Sequence, residues 1–257
     1  MTALKDKIVL ITGASSGIGH ACANYFAKAS AKLLLCARRM DVLNTIAAQL
    51  ISDYGVEVHA FKLDVRHHAE LKEAFRQLPE KWRKVDILVN NAGLAAGLDT
   101  IQEGHIQDWE DMIDTNVKGL LYVTREVLPQ MVDRNSGHII NIGSIAGHQI
   151  YPKGAVYCAT KYAVNAISDG LRQDLLGTKI RVSTVDPGAV VSNFSTVRFK
   201  GDTKRAKAVY EGMEPLTPND VADAVLYCAT RPPHVNISEV IIMPTDQASA
   251  TMVSRKT

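Results

Sequence analysis

The chain has 257 residues, 46% of them hydrophobic and 22% charged, and carries a formal net charge of +2. That is apolar material for one large α/β domain rather than two small ones, and the charge balance lacks the basic excess of a nucleic-acid binder. Eight histidines form no HExxH pair and four cysteines no CxxC pair, and no apolar run approaches a bilayer span. Metal, nucleic acid and membrane are therefore excluded as expected partners. The amino terminus enters the first strand without an apolar signal core, which predicts a cytoplasmic protein. Cys22, Cys36, Cys158 and Cys228 then read as small reduced residues without a catalytic role.

The first predicted strand, Ile8–Thr12, runs into Thr12-Gly13-Ala14-Ser15-Ser16-Gly17-Ile18-Gly19 and a helix over Ile18–Ala29. Gly13 permits a sharp turn, Gly17 lets backbone approach a pyrophosphate, and Gly19 allows close helix–strand packing. The free N–H groups of the helix start, with Ser15, Ser16 and Ile18 around them, form an anion cradle. Its spacing is GxxxGxG rather than the commoner GxGxxG. Strand Lys32–Cys36 follows, and at its end Ala37 offers no carboxylate for a ribose 2′-hydroxyl. Arg38 and Arg39 instead supply guanidinium groups suited to a 2′-phosphate, so the expected cofactor is NADP(H) rather than NAD.

A helix over Met40–Asp53 leads to strand Glu57–Lys62 and then to Asp64 and Val65. Asp64 is placed to accept from an adenine amino group or, alternatively, to cap its own turn. After a helix over His68–Leu78, strand Ile87–Asn90 delivers Asn90, Asn91, Ala92 and Gly93 to the adenosine ribose, a run also expected to stabilise the central strand. One long helix, Trp109–Arg134, carries Asn116; strand His138–Ile142 ends just before Ser144. Helix Ala155–Leu176 holds Tyr157 and Lys161 in YxxxK spacing, one turn apart on one face. A lysine ammonium beside a phenol favours the phenolate, which would bring a proton normally lost near pH ~10 into useful range. Strand Arg181–Val185 brings Pro187, Gly188 and Val190 to the same rim. The segment 192–216, mixed in charge and breaking the alternation, is expected to be a substrate lid. Helix Pro218–Ala229, strand Val240–Ile242 and a tail over 245–257 complete one domain spanning 1–257.

Strand–helix alternation of this kind requires a parallel sheet of about seven strands, doubly wound, with helices on both faces. Gly13, Arg38, Asp64, Asn90, Ser144 and Pro187 all fall at strand ends, which such a sheet gathers at its ligand-binding edge.

Together these motifs resemble the short-chain dehydrogenase/reductase family from Lys7 to about Pro244. The resemblance implies a Rossmann-like domain, hydride transfer at a nicotinamide and a homotetramer. It makes Tyr157 the general acid/base, Lys161 its activator and a ribose ligand, Ser144 a holder of the substrate oxygen, and Asn116 the holder of a water leading from Lys161 to solvent. Segments Asp108–Asn116, Asn141–Ser144, Val197–Asp202 and His234–Ile237 further resemble NADP-dependent 3-hydroxy acid (serine, allo-threonine) dehydrogenases. The expected substrate is then a small hydroxy acid or its oxo counterpart. A broad carbonyl, diketone or sugar reductase, and a dinucleotide sensor without catalysis, are the alternatives. A small anionic substrate needs a cation near Ser144 and Tyr157: Arg198 is the first candidate and Lys200 the second. Gln149, Ile150, Val190, Phe194 and Phe199 are expected to shape the pocket.

Overall fold

The seven β-branched and aliphatic runs all become strands in the computed structural model, which describes residues 4–256. Residues 1–3 and 257, which the sequence reading counts in the domain and its leaderless start, lie outside the described residues. The strands are β1 (Ile8–Thr12), β2 (Lys32–Ala37), β3 (Val58–Lys62), β4 (Ile87–Asn90), β5 (Gly137–Ile142), β6 (Ile180–Pro187) and β7 (Glu239–Ile242). They form one sheet in the order β3-β2-β1-β4-β5-β6-β7, parallel throughout. This is the doubly wound arrangement expected, and its order reverses between β1 and β4, where such sheets open a crevice.

Both sheet faces are buried, so the strands read as near-continuous apolar runs. On β1, Val9 and Ile11 pack with Phe26 of α1 (Gly17–Lys28), Leu43 and Leu50 of α2 (Met40–Tyr54), and a second apolar group distant in sequence, Val221 and Val225. Ile8 and Leu10 face the opposite layer, with Leu71 of α3 (His68–Gln77) and the apolar residues Val123, Val127 and Met131. Successive side chains alternate between the two cores, as strand geometry dictates.

The expected single helix over Trp109–Arg134 differs in detail. It starts earlier, as α4 (Ile106–Ile113), passes through a π-helical segment at Asp114–Gly119, and continues as α5 (Leu120–Asp133). The wider turn brings Asn116 into the interior, where it is 2% exposed. Mid-helix π turns recur at functional sites because they redirect one side chain without ending the helix. Next come α6 (Ala155–Asp174), then two short helices inside the 192–216 segment, α7 (Phe194–Arg198) and α8 (Thr203–Ala208), and finally α9 (Pro218–Ala229). A Thr217–Asp220 capping box and Pro218 start α9. None of the described helices is long and apolar enough to cross a membrane.

Candidate active site

The carboxyl ends of the strands open into a cavity of about 640 Å³. At one end Gly13 (φ +66°) and Gly17 (φ +54°) lie in the left-handed region that only glycine enters freely. Gly19 sits behind the wall: a Cβ there would come within 2.4 Å of Asn91 Nδ2 and 2.6 Å of Gly13 O, so helix and turn touch only because the side chain is missing. Helix α1 starts at Ser16 in extended geometry with no side-chain cap and no acidic residue in its first turn. Its N–H groups are left for an anion, and the helix dipole favours one. Ser15, Ser16, Gly17, Ile18, Arg38 and Arg39 line this end. Both arginines are exposed, and Arg39 Nη2 donates to Ser15 O (3.4 Å) and Ser15 Oγ (3.2 Å). The uncapped helix start, the two glycines at positive φ and the two guanidinium groups fit a dinucleotide pyrophosphate with one further phosphate.

Asp64 and Val65 line the cavity, but the Asp64 carboxylate is committed. Arg66 donates to both its oxygens, at 2.7 Å from Nη2 to Oδ2 and 3.0 Å from Nε to Oδ1, and reaches Asp111 Oδ1 at 2.8 Å. The turn-capping reading has its bond in the Arg66 amide, which donates to Asp64 Oδ1 at 3.1 Å; the place of Asp64 in the cavity wall leaves the adenine reading standing beside it. Burial alone would raise its carboxyl; the bonds from Arg66 outweigh that and hold it below its ordinary value. Asn90 is a correction. Its Nδ2 donates to Asn141 Oδ1 (2.9 Å) and Thr124 Oγ1 (3.0 Å), so it braces β4 against β5 and does not line the cavity. Asn91, Ala92 and Gly93 do line it, with the Asn91 and Ala92 amides donating to Thr12 Oγ1 at 3.0 and 2.9 Å.

At the other end stand Ser144, Tyr157 and Lys161, with Pro187, Gly188 and Val190 on the same wall. Tyr157 and Lys161 share one face of α6, and both are buried. Lys161 Nζ donates to Ile142 O at 2.8 Å and lies 6.0 Å from the Tyr157 ring centroid. Burial lowers the ammonium to about 8, with Asp186 opposing. Burial likewise pushes the phenol up, Tyr151 adding to it, while Ser144 and the Arg198 charge pull the other way. Desolvation is the largest influence on the phenol here and opposes the acidification expected from Lys161. Ser144 Oγ accepts from Ala146 N at 3.1 Å, starting a short 3₁₀ turn.

Asn116 does not reach the cavity. Its Oδ1 accepts from Leu94 N (2.9 Å), and its Nδ2 donates to Leu94 O (2.8 Å) and Thr160 Oγ1 (3.0 Å). Its side chain is therefore spent clasping the loop after β4 to α6. Gln149 is a second correction: its Oε1 accepts from Ala250 N at 2.8 Å, outside the cavity. Ile150 points to solvent and Phe199 is packed under Arg205, so neither lines the cavity, and Lys200, the second candidate cation, pairs with Asp108 at 3.0 Å outside it. Phe194 does line it, its ring edge-on to Tyr157 at 5.7 Å.

Arg198 reaches the chemistry from α7. Its guanidinium lies 5.4 Å from the ring centroids of both Tyr151 and Tyr157, a distance at which a cation is held by the ring faces. Nε donates to Gly97 O (3.1 Å) and Nη2 to Tyr151 OH (2.5 Å). Sequence reasoning missed Tyr151, which has no periodic signal. Its ring fills the space left by Gly154, where a Cβ would fall 2.0 Å from Tyr151 Cε2. The same reasoning also missed that the tail closes the cavity through Gln247, Ala250, Val253 and Arg255.

The short chain dehydrogenase family model matches residues 7–202. An NADP-dependent 3-hydroxy acid dehydrogenase, YdfG, of Salmonella typhi is 48% identical over 244 residues, 95% of this chain and 97% of the relative. An NADP-dependent 3-hydroxy acid dehydrogenase of Schizosaccharomyces pombe is 44% identical over 257 residues, 100% of this chain and 99% of the relative. Among solved structures, the closed form of serine dehydrogenase complexed with NADP+ superposes with a TM-score of 0.90 at 45% identity, covering 97% of this chain and 100% of that one.

Proposed function

The chain belongs to the short-chain dehydrogenase family, and we propose that it oxidises the 3-hydroxyl of small hydroxy acids, and reduces the matching oxo acids, with NADP(H). It is an NADP-dependent oxidoreductase acting on hydroxyl groups. The cofactor, when bound, takes up or gives hydride at the substrate carbon. Gly13, Ser15, Ser16, Gly17 and Ile18 would hold its pyrophosphate, Arg38 and Arg39 its 2′-phosphate, Val65, Ala92 and Gly93 its adenosine, and Tyr157, Lys161, Pro187, Gly188 and Val190 its nicotinamide end.

The chain's own groups handle the proton. A buried phenol pushed up by desolvation keeps its proton at neutral pH, so Tyr157 Oη donates to the substrate oxygen during reduction. In oxidation the same oxygen must first lose that proton, so the oxidative direction gains as pH rises. Lys161 forms the route for exchanging that proton with solvent. The Ser144 Oγ keeps the bond it accepts from Ala146 N and turns its O–H from Pro187 O to hold the substrate oxygen.

The observation that carries the acid reading is the Arg198 guanidinium poised 5.4 Å from the Tyr157 ring. Its Nε and Nη2 are engaged; Nη1 has no hydrogen-bond partner among the described residues, and a carboxylate would supply one. The 192–216 segment acts as the lid, the 245–257 tail as its outer wall. The reading includes a cytoplasmic homotetramer: all four cysteines are free and buried, and exposed Leu121 of α5 and Tyr162 of α6 suit subunit contact. Light scattering tests the tetramer. The function is tested by NADP+ reduction with L-serine, 3-hydroxyisobutyrate and 3-hydroxypropionate beside NADPH oxidation with diacetyl. Turnover of the acids is expected; activity on diacetyl alone would overturn the acid reading.

A further inference from the structure

Behind Ser144, away from the cavity, lies a buried carboxylate that the chemistry above does not use. Asp186, near the end of β6, is 0% exposed. Its Oδ1 accepts from Ser144 N at 3.0 Å, and its Oδ2 has no hydrogen-bond partner. The fit is tight enough that a Cβ on Gly143 would fall 1.8 Å from Oδ1, so glycine at 143 is what lets the acid reach the turn. His148 Nε2 lies 3.6 Å from Asp186 Oδ1 and 3.5 Å from Glu239 Oε1, and the three ligand-type atoms fall within 4.8 Å of one another. Asn165 Nδ2 is 3.1 Å from the same His148 nitrogen, which therefore already has an amide partner. The charged or titratable groups around Asp186 are His148 from the loop after β5, with Glu239 of β7 beyond it, and Lys161 of α6, whose Nζ donates at 2.8 Å to Ile142 O, two residues before the Ser144 amide that Asp186 holds.

We propose that Asp186 is a positioning residue for this active site: its carboxylate fixes the Ser144 amide from behind and supplies the negative charge that faces Lys161, with His148 and Glu239 linking it to solvent. The proposal rests on the oxidoreductase reading for its catalytic consequence, though not for its electrostatics.

The physical case is that the carboxylate is costly where it stands. An ionised, incompletely bonded acid with no solvent exposure is disfavoured unless something else requires it. Burial pushes the Asp186 carboxyl up, against Thr184, His148 and the Ser144 amide, while Glu239 pushes further up. A raised folded-state value means the fold favours the neutral acid; stability is greatest at low pH and declines as pH rises through that value. The carboxylate form therefore works against the fold. What it supports is the Lys161 ammonium, which burial alone would deprotonate more readily. Loss of stability in exchange for a poised site is a common arrangement at functional positions.

The test is Asp186→Asn, which keeps the shape and an oxygen for the Ser144 amide but removes the charge. In ligand-free protein, a side-chain ¹⁵N-lysine NMR titration should show Lys161 losing its proton at lower pH, by about one unit. The melting temperature at pH 7–8 should hold or rise. In turnover, kcat should fall about 10-fold or more, its alkaline limb should move to lower pH, and KM for NADPH should change less than about threefold. An unmoved Lys161 titration, or a lowered melting temperature with the alkaline limb in place, would reduce Asp186 to a structural brace and overturn the proposal. If Asp186→Asn fails to fold, His148→Gln decides: removing the group that opposes burial should move the acid limb of kcat upward, and an unmoved limb overturns it. Absence of turnover in the wild type would sink the oxidoreductase reading while leaving the Lys161 titration to judge Asp186.

Discussion

The two ends of the cavity are built by different means. At the cofactor end every lining group sits within a few residues of a strand terminus, and the backbone does most of the work: glycines at positive φ, an uncapped helix start, the Thr12 hydroxyl holding the amides after β4. At the substrate end the wall is assembled from α7, the loop before α6 and the tail, tied together by bonds such as Arg198 to Gly97 and Gln149 to Ala250, each spanning 101 residues of chain. A sheet edge fixes geometry for any sequence that keeps the strands in register. Loop walls can be exchanged without touching it, which is how one framework serves many substrates.

Tyr157 stands at the seam and should show the largest effect. Tyr157→Phe removes the transferable proton while keeping the ring beside Phe194. A kcat loss of about 10²- to 10⁴-fold is expected, with melting temperature and NADPH binding by fluorescence unchanged; surviving turnover would detach the chemistry from both ends. At the cofactor end, Arg38→Asp puts a like charge where a phosphate is expected. NADPH affinity should fall about 10- to 100-fold, the range of a charge-assisted bond, and NADH affinity far less. Equal losses in titrations of the two would break the assignment.

This contrast also explains what could be read from sequence. Strands and the glycine turn were legible because alternation and φ requirements are local. Arg38, Arg39, Ser144, Tyr157 and Lys161 follow at fixed offsets from those strands, and all line the cavity. Asn90 was misplaced because a strand's last residue points to one face or the other by register, and here it points inward to Asn141. The π segment around Asn116 was not legible, since it contains no proline and lies inside a helix that continues on both sides. The burial of Tyr157 and Lys161 is invisible for a related reason: spacing reveals that a lysine is near but says nothing of how deeply both groups are buried. Tyr151 and Gln247 depend on long-range packing, which no local pattern encodes.

At the substrate end, Arg198→Met should raise KM for 3-hydroxy acids about 10-fold or more, the loss of one charge-assisted pair, and leave KM for diacetyl within about twofold. Methionine keeps much of the apolar stem that packs on Tyr151 and Tyr157, so steady-state kinetics on the two substrate classes separates charge from shape. An equal rise for both would make Arg198 a lid brace.

The smallest effect belongs to the tail. Gln247, 8% exposed, accepts from Ala189 N at 2.8 Å and donates to Ser249 O at 3.0 Å, stitching the chain after Gly188 to the tail that lines the cavity. Gln247→Ala leaves the Ala189 amide without its partner, a cost of about 1–3 kcal/mol in a buried setting. That cost falls on tail docking rather than on the sheet, so local opening absorbs it. Hydrogen exchange at Ala189 and Ser249 should speed up while β1 and β4 amides stay protected, and KM for the acid should rise only a few-fold with kcat nearly constant. Faster exchange reaching β1 would show that the two ends are one cooperative unit, and that the substrate wall cannot vary freely after all.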